Sequence, residues 1–313
     1  KDLKNWKYEH NFMKNECFLP PGEDASCPYF WPIGNRYIFL FFSHTTGSQY
    51  LLGDYNKEEH CFYPTFHGRF NFMSFLPGGV HAPSATSDGK GGVIVIHNMH
   101  TGKKSPGWRG ITTLPRKLTL DKCDTINIQP YGDYKSLRTH HQHIDKTHLP
   151  ANKEIIIDNI QGNALEIKAE INIKSSPMIE MNVLRSPDKE EFTSIKFFKD
   201  RGADLVRTNP ALKNQRWSLI SLETAHSSIL PDVISRAPEL APVYLKPNET
   251  LKLHIFIDKS IIEIFVNDKQ VVTTRVYPGK KESIGISLKS QGRDATLISM
   301  DAWQMKSIYK ELQ

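Results

Sequence analysis

The later half of the chain alternates apolar and polar residues with a period of two, and this limits its fold more than any other feature. Leu165-Glu166-Ile167-Lys168-Ala169-Glu170-Ile171, Met178-Ile179-Glu180-Met181-Asn182-Val183-Leu184 and Leu251-Lys252-Leu253-His254-Ile255-Phe256-Ile257 send alternate side chains to opposite faces. A helix would smear that pattern around its surface, whereas an antiparallel strand with one buried face uses all of it. Ile261–Val266 and Val271–Val276 flank Asn267-Asp268-Lys269, a hairpin signal. Nearer the start, Tyr37–Phe42 follows the turn Gly34-Asn35, Gln49–Tyr55 comes next, and Gly91–Ile96 follows Asp88-Gly89. Such spacing suits four-stranded blades or a sandwich. Helical periodicity is scarce, so the chain reads as all-β.

Its 313 residues make two domains the default expectation. From Leu120 to Pro150 the pattern loosens into polar, His-rich sequence, which divides the chain into residues 1–120, a linker over 121–150, and residues 151–313. The last unit is expected to be separable, running from near Glu154 to near Trp303. The +6 net charge is scattered along the chain rather than gathered in an arm or stripe, which argues against nucleic acid. The longest apolar run, Ile38 to Phe42, is strand-sized and too short to span a membrane. Cys17, Cys27, Cys61 and Cys123 have neither zinc-site nor dense disulfide spacing; one bridge is open to them, and the compartment stays undecided. The charged start, Lys1-Asp2-Leu3-Lys4-Asn5-Trp6, lacks the apolar core of a signal peptide and reads as the interior of a folded domain.

Six stretches, in order, resemble glycoside hydrolase family 32, the β-fructosidases. They are Asp2-Leu3-x-x-Trp6, Cys27-Pro28-Tyr29-Phe30-Trp31-Pro32, Tyr50–Asn56, His81-Ala82-Pro83-Ser84, Trp108–Leu120 and Phe256–Asn267. The resemblance implies the closing blades of a five-bladed β-propeller followed by a β-sandwich. It also implies a retaining hydrolase of fructose-containing glycans of the sucrose, inulin or levan type. No cofactor and no resident metal are implied; the partner is an oligo- or polysaccharide, and a secreted or periplasmic setting is favoured. The family's Asn-Asp-Pro and Arg-Asp-Pro motifs are absent. The expectation is therefore that this chain supplies the acid/base but not the nucleophile, with an N-terminal chain or segment completing the ring.

Retaining glycosidases place two carboxyl groups ~5 Å apart across the bond they cleave. The family's acid/base Glu directly precedes its Cys-Pro, where this chain has Ser26, with Glu23 and Asp24 just upstream. Either could reach the site if Ala25-Ser26 forms a bulge; the bland reading is a solvated loop after Pro20-Pro21-Gly22. Glu16-Cys17 does not continue the motif and is set aside. Asp54, Asn56, His81 and Trp108 are candidate substrate contacts. Against that, Asp54 and Asn56 would simply cap a turn, and Trp108 would pack between blades. His97-Asn98 is placed at a pocket mouth. His140, His141, His143 and His148 read as surface polarity rather than a metal site, and Asp258 and Glu263 as structural. Asn248-Glu249-Thr250 is a glycosylation sequon, meaningful only in a eukaryotic secretory setting. Two other readings keep the same residues: a catalytically degenerate carbohydrate-binding protein, which Ser26 favours, and a fructosyltransferase.

Overall fold

The computed structural model describes residues 3–14, 22–73, 75–104, 109–121, 125–202 and 216–309. These form an all-β protein in which one short 3-10 turn, Tyr134–Leu137, is the only helical element described. The strands are β1 (Ser26–Ile33), β2 (Arg36–Ser43), β3 (Gly47–Asn56), β4 (Cys61–Arg69), β5 (Val80–Ser87), β6 (Val93–His100), β7 (Gly110–Thr112), β8 (Arg116–Leu120) and β9 (Ile126–Pro130). There follow β10 (Arg138–Ile144), β11 (Thr147–Leu149), β12 (Glu154–Ile156), β13 (Ala164–Asn172), β14 (Met178–Arg185), β15 (Thr193–Phe198) and β16 (Ser218–Glu223). The last are β17 (Glu239–Val243), β18 (Leu251–Asp258), β19 (Ile261–Val266), β20 (Gln270–Arg275), β21 (Gly285–Gln291) and β22 (Ala295–Met305).

The first sheet is the antiparallel meander β1-β2-β3-β4, and the second is β5-β6-β8-β9 with β7 beside β6. The third sheet runs β10-β22-β13-β18-β19-β20, with β11 on β22; the fourth runs β12-β21-β14-β15-β16-β17. The alternating strands behave as their period demands. Ile167, Ala169 and Ile171 of β13 and Ile179 and Met181 of β14 face one shared core between the third and fourth sheets.

A second core holds the first and second sheets together. Ile33, Ile38, Leu40 and Leu52 meet Val80, Val93, Val95 and Leu118 there, and Phe256, Ile261, Phe265 and Val271 of the third sheet enter the same cluster. Arg116 of β8, fully buried, donates to Glu263 of β19 at 2.9 Å and to Thr273 of β20 at 2.8 Å. Glu263 also accepts the Leu114 backbone N–H at 2.6 Å. Burial pushes the Glu263 carboxyl upward, against the pull of Arg116. Glu263 is thus structural, as its place in the alternation implied.

Two expectations change here. The stretch over 121–150 is not bare linker: β9 completes the second sheet, while β10 and β11 pair with β22. Its polarity belongs to a strand whose His side chains face outward, so the alternation that marks a half-buried strand is missing. His141 and His143 both bond Asp301 Oδ1 at 2.8 Å, and His148 lies 3.3 Å from Asp294. Cutting near Glu154 would strip β10 and β11 from the third sheet and expose the shared apolar cluster. A freely separable later unit is therefore not what the structure provides.

The face of the first sheet turned away from the second carries a tight group of rings. Phe12 meets Phe30 edge-on at 4.9 Å, Phe30 stacks on Tyr37 at 5.1 Å, and Phe62 lies 5.2 Å from Phe30. Among the described residues Cys27 is an exposed free thiol and Cys61 a buried one; Cys17 and Cys123 lie outside them.

Candidate active site

The site gathers where the β2–β3 turn meets the chain entering β1. Ser43 and Gly47 are register partners, so His44-Thr45-Thr46 forms a tight connection. Gly47 has φ +83, and a Cβ there would lie 2.1 Å from the Asn71 side chain, so glycine is needed twice over. The Ser43 hydroxyl accepts the N–H groups of Thr45 and Thr46 at 3.1 and 3.2 Å, which fixes the turn.

That turn holds Glu23. Its Oε1 accepts from the Ser43 hydroxyl at 2.7 Å, from the Thr46 hydroxyl, and from Gln49 Nε2 at 3.4 Å. Gln49 is itself held by His67, whose Nε2 lies 2.5 Å from Gln49 Oε1. Glu23 Oε2 is buried and has no hydrogen-bond partner among the described residues. Burial pushes the carboxyl up, but the Thr46, Ser43 and Gln49 hydrogen bonds and the charge of Arg69 outweigh it and leave Glu23 below its usual range. One oxygen is thus anchored and the other is left to act.

Asp24 is engaged differently. The Ser26 hydroxyl donates to it at 2.5 Å, the His44 backbone N–H at 2.9 Å, and His44 Nδ1 lies 2.7 Å away. The Ser26 bond first, then the His44 N–H, hold its carboxyl well below the ordinary range. Both its oxygens are occupied, and it serves to orient His44. The expected bulge exists one step later than anticipated: register shifts between Ser26 and Tyr29, with Cys27 at φ +52.

His81 arrives from the second sheet beside a similar irregularity, a register shift between His81 and Pro83 with Ala82 at φ +42. Its ring stacks on His100 at 4.1 Å, with Phe75 at 5.3 Å and Phe42 at 5.6 Å. Phe42 in turn lies 4.8 Å from His44, which ties this ring cluster to Asp24. Burial, and then His100, pull the His81 imidazole down to about 4.

That depression has a consequence for stability. The unfolded chain takes up a proton near pH 6.5 where folded His81 resists it, so stability falls as pH drops from about 6.5 to about 4. Melting curves across that window should show the loss, and His81→Gln should flatten it. An unchanged slope in the variant would count against His81 as a source.

Asp54 and Asn56 are not part of this assembly. They sit at the far end of β3, roughly 23–30 Å from Gly47 at ~3.3 Å per residue. Asp54 pairs with Arg36 at 2.8 Å, and Asn56 accepts the N–H groups of Glu58 and Glu59 at 2.9 and 3.2 Å. The turn-capping reading holds for Asn56, whereas Asp54 is held in an ion pair across the sheet. Likewise His97 is not at a mouth: it is fully buried against Phe70 at 4.9 Å. Trp108 and Glu16 lie outside the described residues. Sequence reasoning passed over Ser43, Thr46, Gln49 and His67. The available signal was the run Ser43-His44-Thr45-Thr46-Gly47-Ser48-Gln49, which crowds polar groups after an apolar strand.

The chain is built from packed antiparallel sheets, with a carboxylate anchored near a cluster of rings. It belongs to glycosyl hydrolases family 32: the family's C-terminal profile matches residues 133–304, and its N-terminal domain profile matches residues 1–130. Levanase from Bacillus subtilis is 27% identical over 209 residues, covering 64% of this chain and 28% of that protein. Sucrose-6-phosphate hydrolase from Zymomonas mobilis is 23% identical over 331 residues, covering 97% of this chain and 58% of that protein. Fructan 1-exohydrolase IIa from Cichorium intybus superposes with a TM-score of 0.77 at 18% identity, covering 90% of this chain and 62% of that structure. Exo-inulinase from Aspergillus awamori gives 0.72 at 16% identity, covering 98% and 61%. The chain thus spans less than two thirds of the length of these relatives.

Proposed function

We propose that this chain is the acid/base-bearing part of a retaining hydrolase that cleaves fructose from sucrose-type or fructan substrates, with Glu23 as the proton donor and acceptor. The observation that carries this is the asymmetric hold on Glu23: three donors converge on Oε1, while Oε2 is buried and unpartnered among the described residues. Anchoring fixes the reach of the carboxyl, and the free oxygen is the one to exchange a proton with a glycosidic oxygen or a water. Asp24 positions His44, and His81 lies beside it to meet sugar hydroxyls. The names of the relatives, which describe cleavage of levan, fructan, inulin and sucrose 6-phosphate, support the substrate class.

In this reading the strands up to Pro130 belong to closing blades of a five-bladed propeller, and the strands from Arg138 onward form a β-sandwich. The first two sheets are two of the blades. The ring-rich outer face of the first sheet suits contact with another blade, and a further portion of the enzyme supplies the nucleophile. The Glu23 carboxyl lies below its usual range, whereas a general acid must hold a proton. A second carboxylate ~5 Å away would raise it by like-charge repulsion.

Fructose release from sucrose, inulin and levan is the test, with the configuration of the first-formed sugar followed by NMR. An enzyme assembled with the second carboxylate should release fructose with its β configuration retained. Residues 1–313 alone should bind these sugars and release none. If the assembled protein binds them and never cleaves, the binding-only alternative replaces this proposal.

A further inference from the structure

A cleft lined by residues between Asn172 and Glu249 opens where the third and fourth sheets end together. It lies beyond β13, β15 and β17 and beside the starts of β16 and β18, and has a volume of about 450 Å³. That lies within the roughly 300–1,000 Å³ usual for small-ligand sites. Its charge is unbalanced. Lys174, Lys199, Arg216 and Lys246 line it against two carboxylates, Asp200 and Glu249.

Glu249 is already satisfied. Lys269 bonds both its oxygens at 2.9 and 2.7 Å, and the Lys246 backbone N–H donates to Oε2 at 2.8 Å. Lys199 donates to the Lys174 carbonyl at 2.6 Å and keeps its charge and two further N–H groups. Lys174, Arg216 and Lys246 are exposed, and among the described residues none of the three has an ion-pair partner. Even with Asp200 set against them, these cations leave excess positive charge around one cleft, and an anion between them lowers that repulsion while gaining charge-assisted hydrogen bonds. The rest of the lining suits a sugar: the Tyr244 ring supplies an apolar surface, and the Asn172 and Asn248 amides can both donate and accept.

We propose that this cleft is an accessory binding site for an anionic saccharide, one carrying a carboxylate or phosphate group on a sugar. Nothing in it depends on the catalytic reading. Its cations come from the ends of different strands, so they can grip a charged group from several sides without a deep pocket.

Binding of the purified protein to polygalacturonate, glucose 6-phosphate, neutral levan and inorganic phosphate, each at low and moderate salt, tests the proposal. Binding to polygalacturonate identifies a polymeric uronate as the source of the anion, and binding to glucose 6-phosphate alone identifies a small sugar phosphate. In either case affinity should fall with salt. The triple variant Lys174→Ala/Arg216→Ala/Lys246→Ala should bind at least tenfold more weakly, one decade being about 1.4 kcal/mol. Lys174→Arg/Lys246→Arg should retain binding. A control removing the same charge from exposed positions elsewhere, Lys90→Ala/Lys135→Ala/Lys306→Ala, should change affinity less than twofold. The proposal is overturned if neither anionic sugar binds, if inorganic phosphate binds as well as the sugars do, if neutral levan binds equally, or if the two triple variants lose affinity alike. Melting curves of each variant separate lost binding from lost folding.

Discussion

Glu23→Gln in the assembled enzyme slows cleavage of fructans and sucrose by about 10²–10⁴, the usual worth of general acid catalysis, and barely slows cleavage of activated aryl fructosides. The split between substrates is the informative part. A poor leaving group departs only as it is protonated, whereas an activated phenol leaves without help. Asp24→Asn should have the smaller effect, because both Asp24 oxygens are already bound by Ser26 and His44. Its loss acts through the His44 ring and should appear mainly in KM. Glu16→Gln should be near neutral. Initial rates on both substrate types for the three variants decide the matter. Wild-type fructan cleavage by Glu23→Gln would remove Glu23 from the mechanism, and a dead Glu16→Gln beside it would move the acid/base to that residue.

The second large effect is on stability, at the buried pair that joins the second sheet to the third. Removing one member of such a pair strands the other in a low-dielectric interior, which costs about 3–5 kcal/mol. Arg116→Met should therefore lower unfolding free energy by that amount. Arg116→Met/Glu263→Gln should recover part of it, because no full charge is left unpaired. Denaturant melts of the two single variants and the double variant measure the coupling directly. A loss below about 1 kcal/mol in Arg116→Met would show the pair to be solvated or rearranged. If Glu263→Gln abolished activity while stability held, Glu263 would have a chemical role that its burial argues against.

The strands were legible because one buried face leaves a period of two, and β13, β14 and β18 lie where the alternation of Leu165, Met178 and Leu251 put them. What stayed hidden was non-local. β10 and β11 have outward His side chains and no alternation, and only their pairing with β22 makes them strands. The Glu23-Asp24 dipeptide stood out beside Cys27-Pro28, yet nothing local says which carboxyl is anchored and which is saturated. That depends on a turn about twenty residues away. Asp54 and Asn56 shared a strand with Gln49 in sequence, and only the length of β3 separates them from the site. His81 was visible within the stretch His81-Ala82-Pro83-Ser84, whereas its stacking partner His100 comes from the neighbouring strand.

The apolar cluster shared by the first three sheets bears on how such a protein can be recombined. Phe256, Ile261, Phe265 and Val271 are anchored in the later sequence but fill space between earlier strands. A chimera that takes everything after residue 150 from a relative would import foreign shapes into the packing between the first and second sheets. Exchange would succeed only if the matching residues of β5, β6 and β8 travelled with it. The unit of inheritance here is a seam, and it is read from two distant stretches of the gene at once.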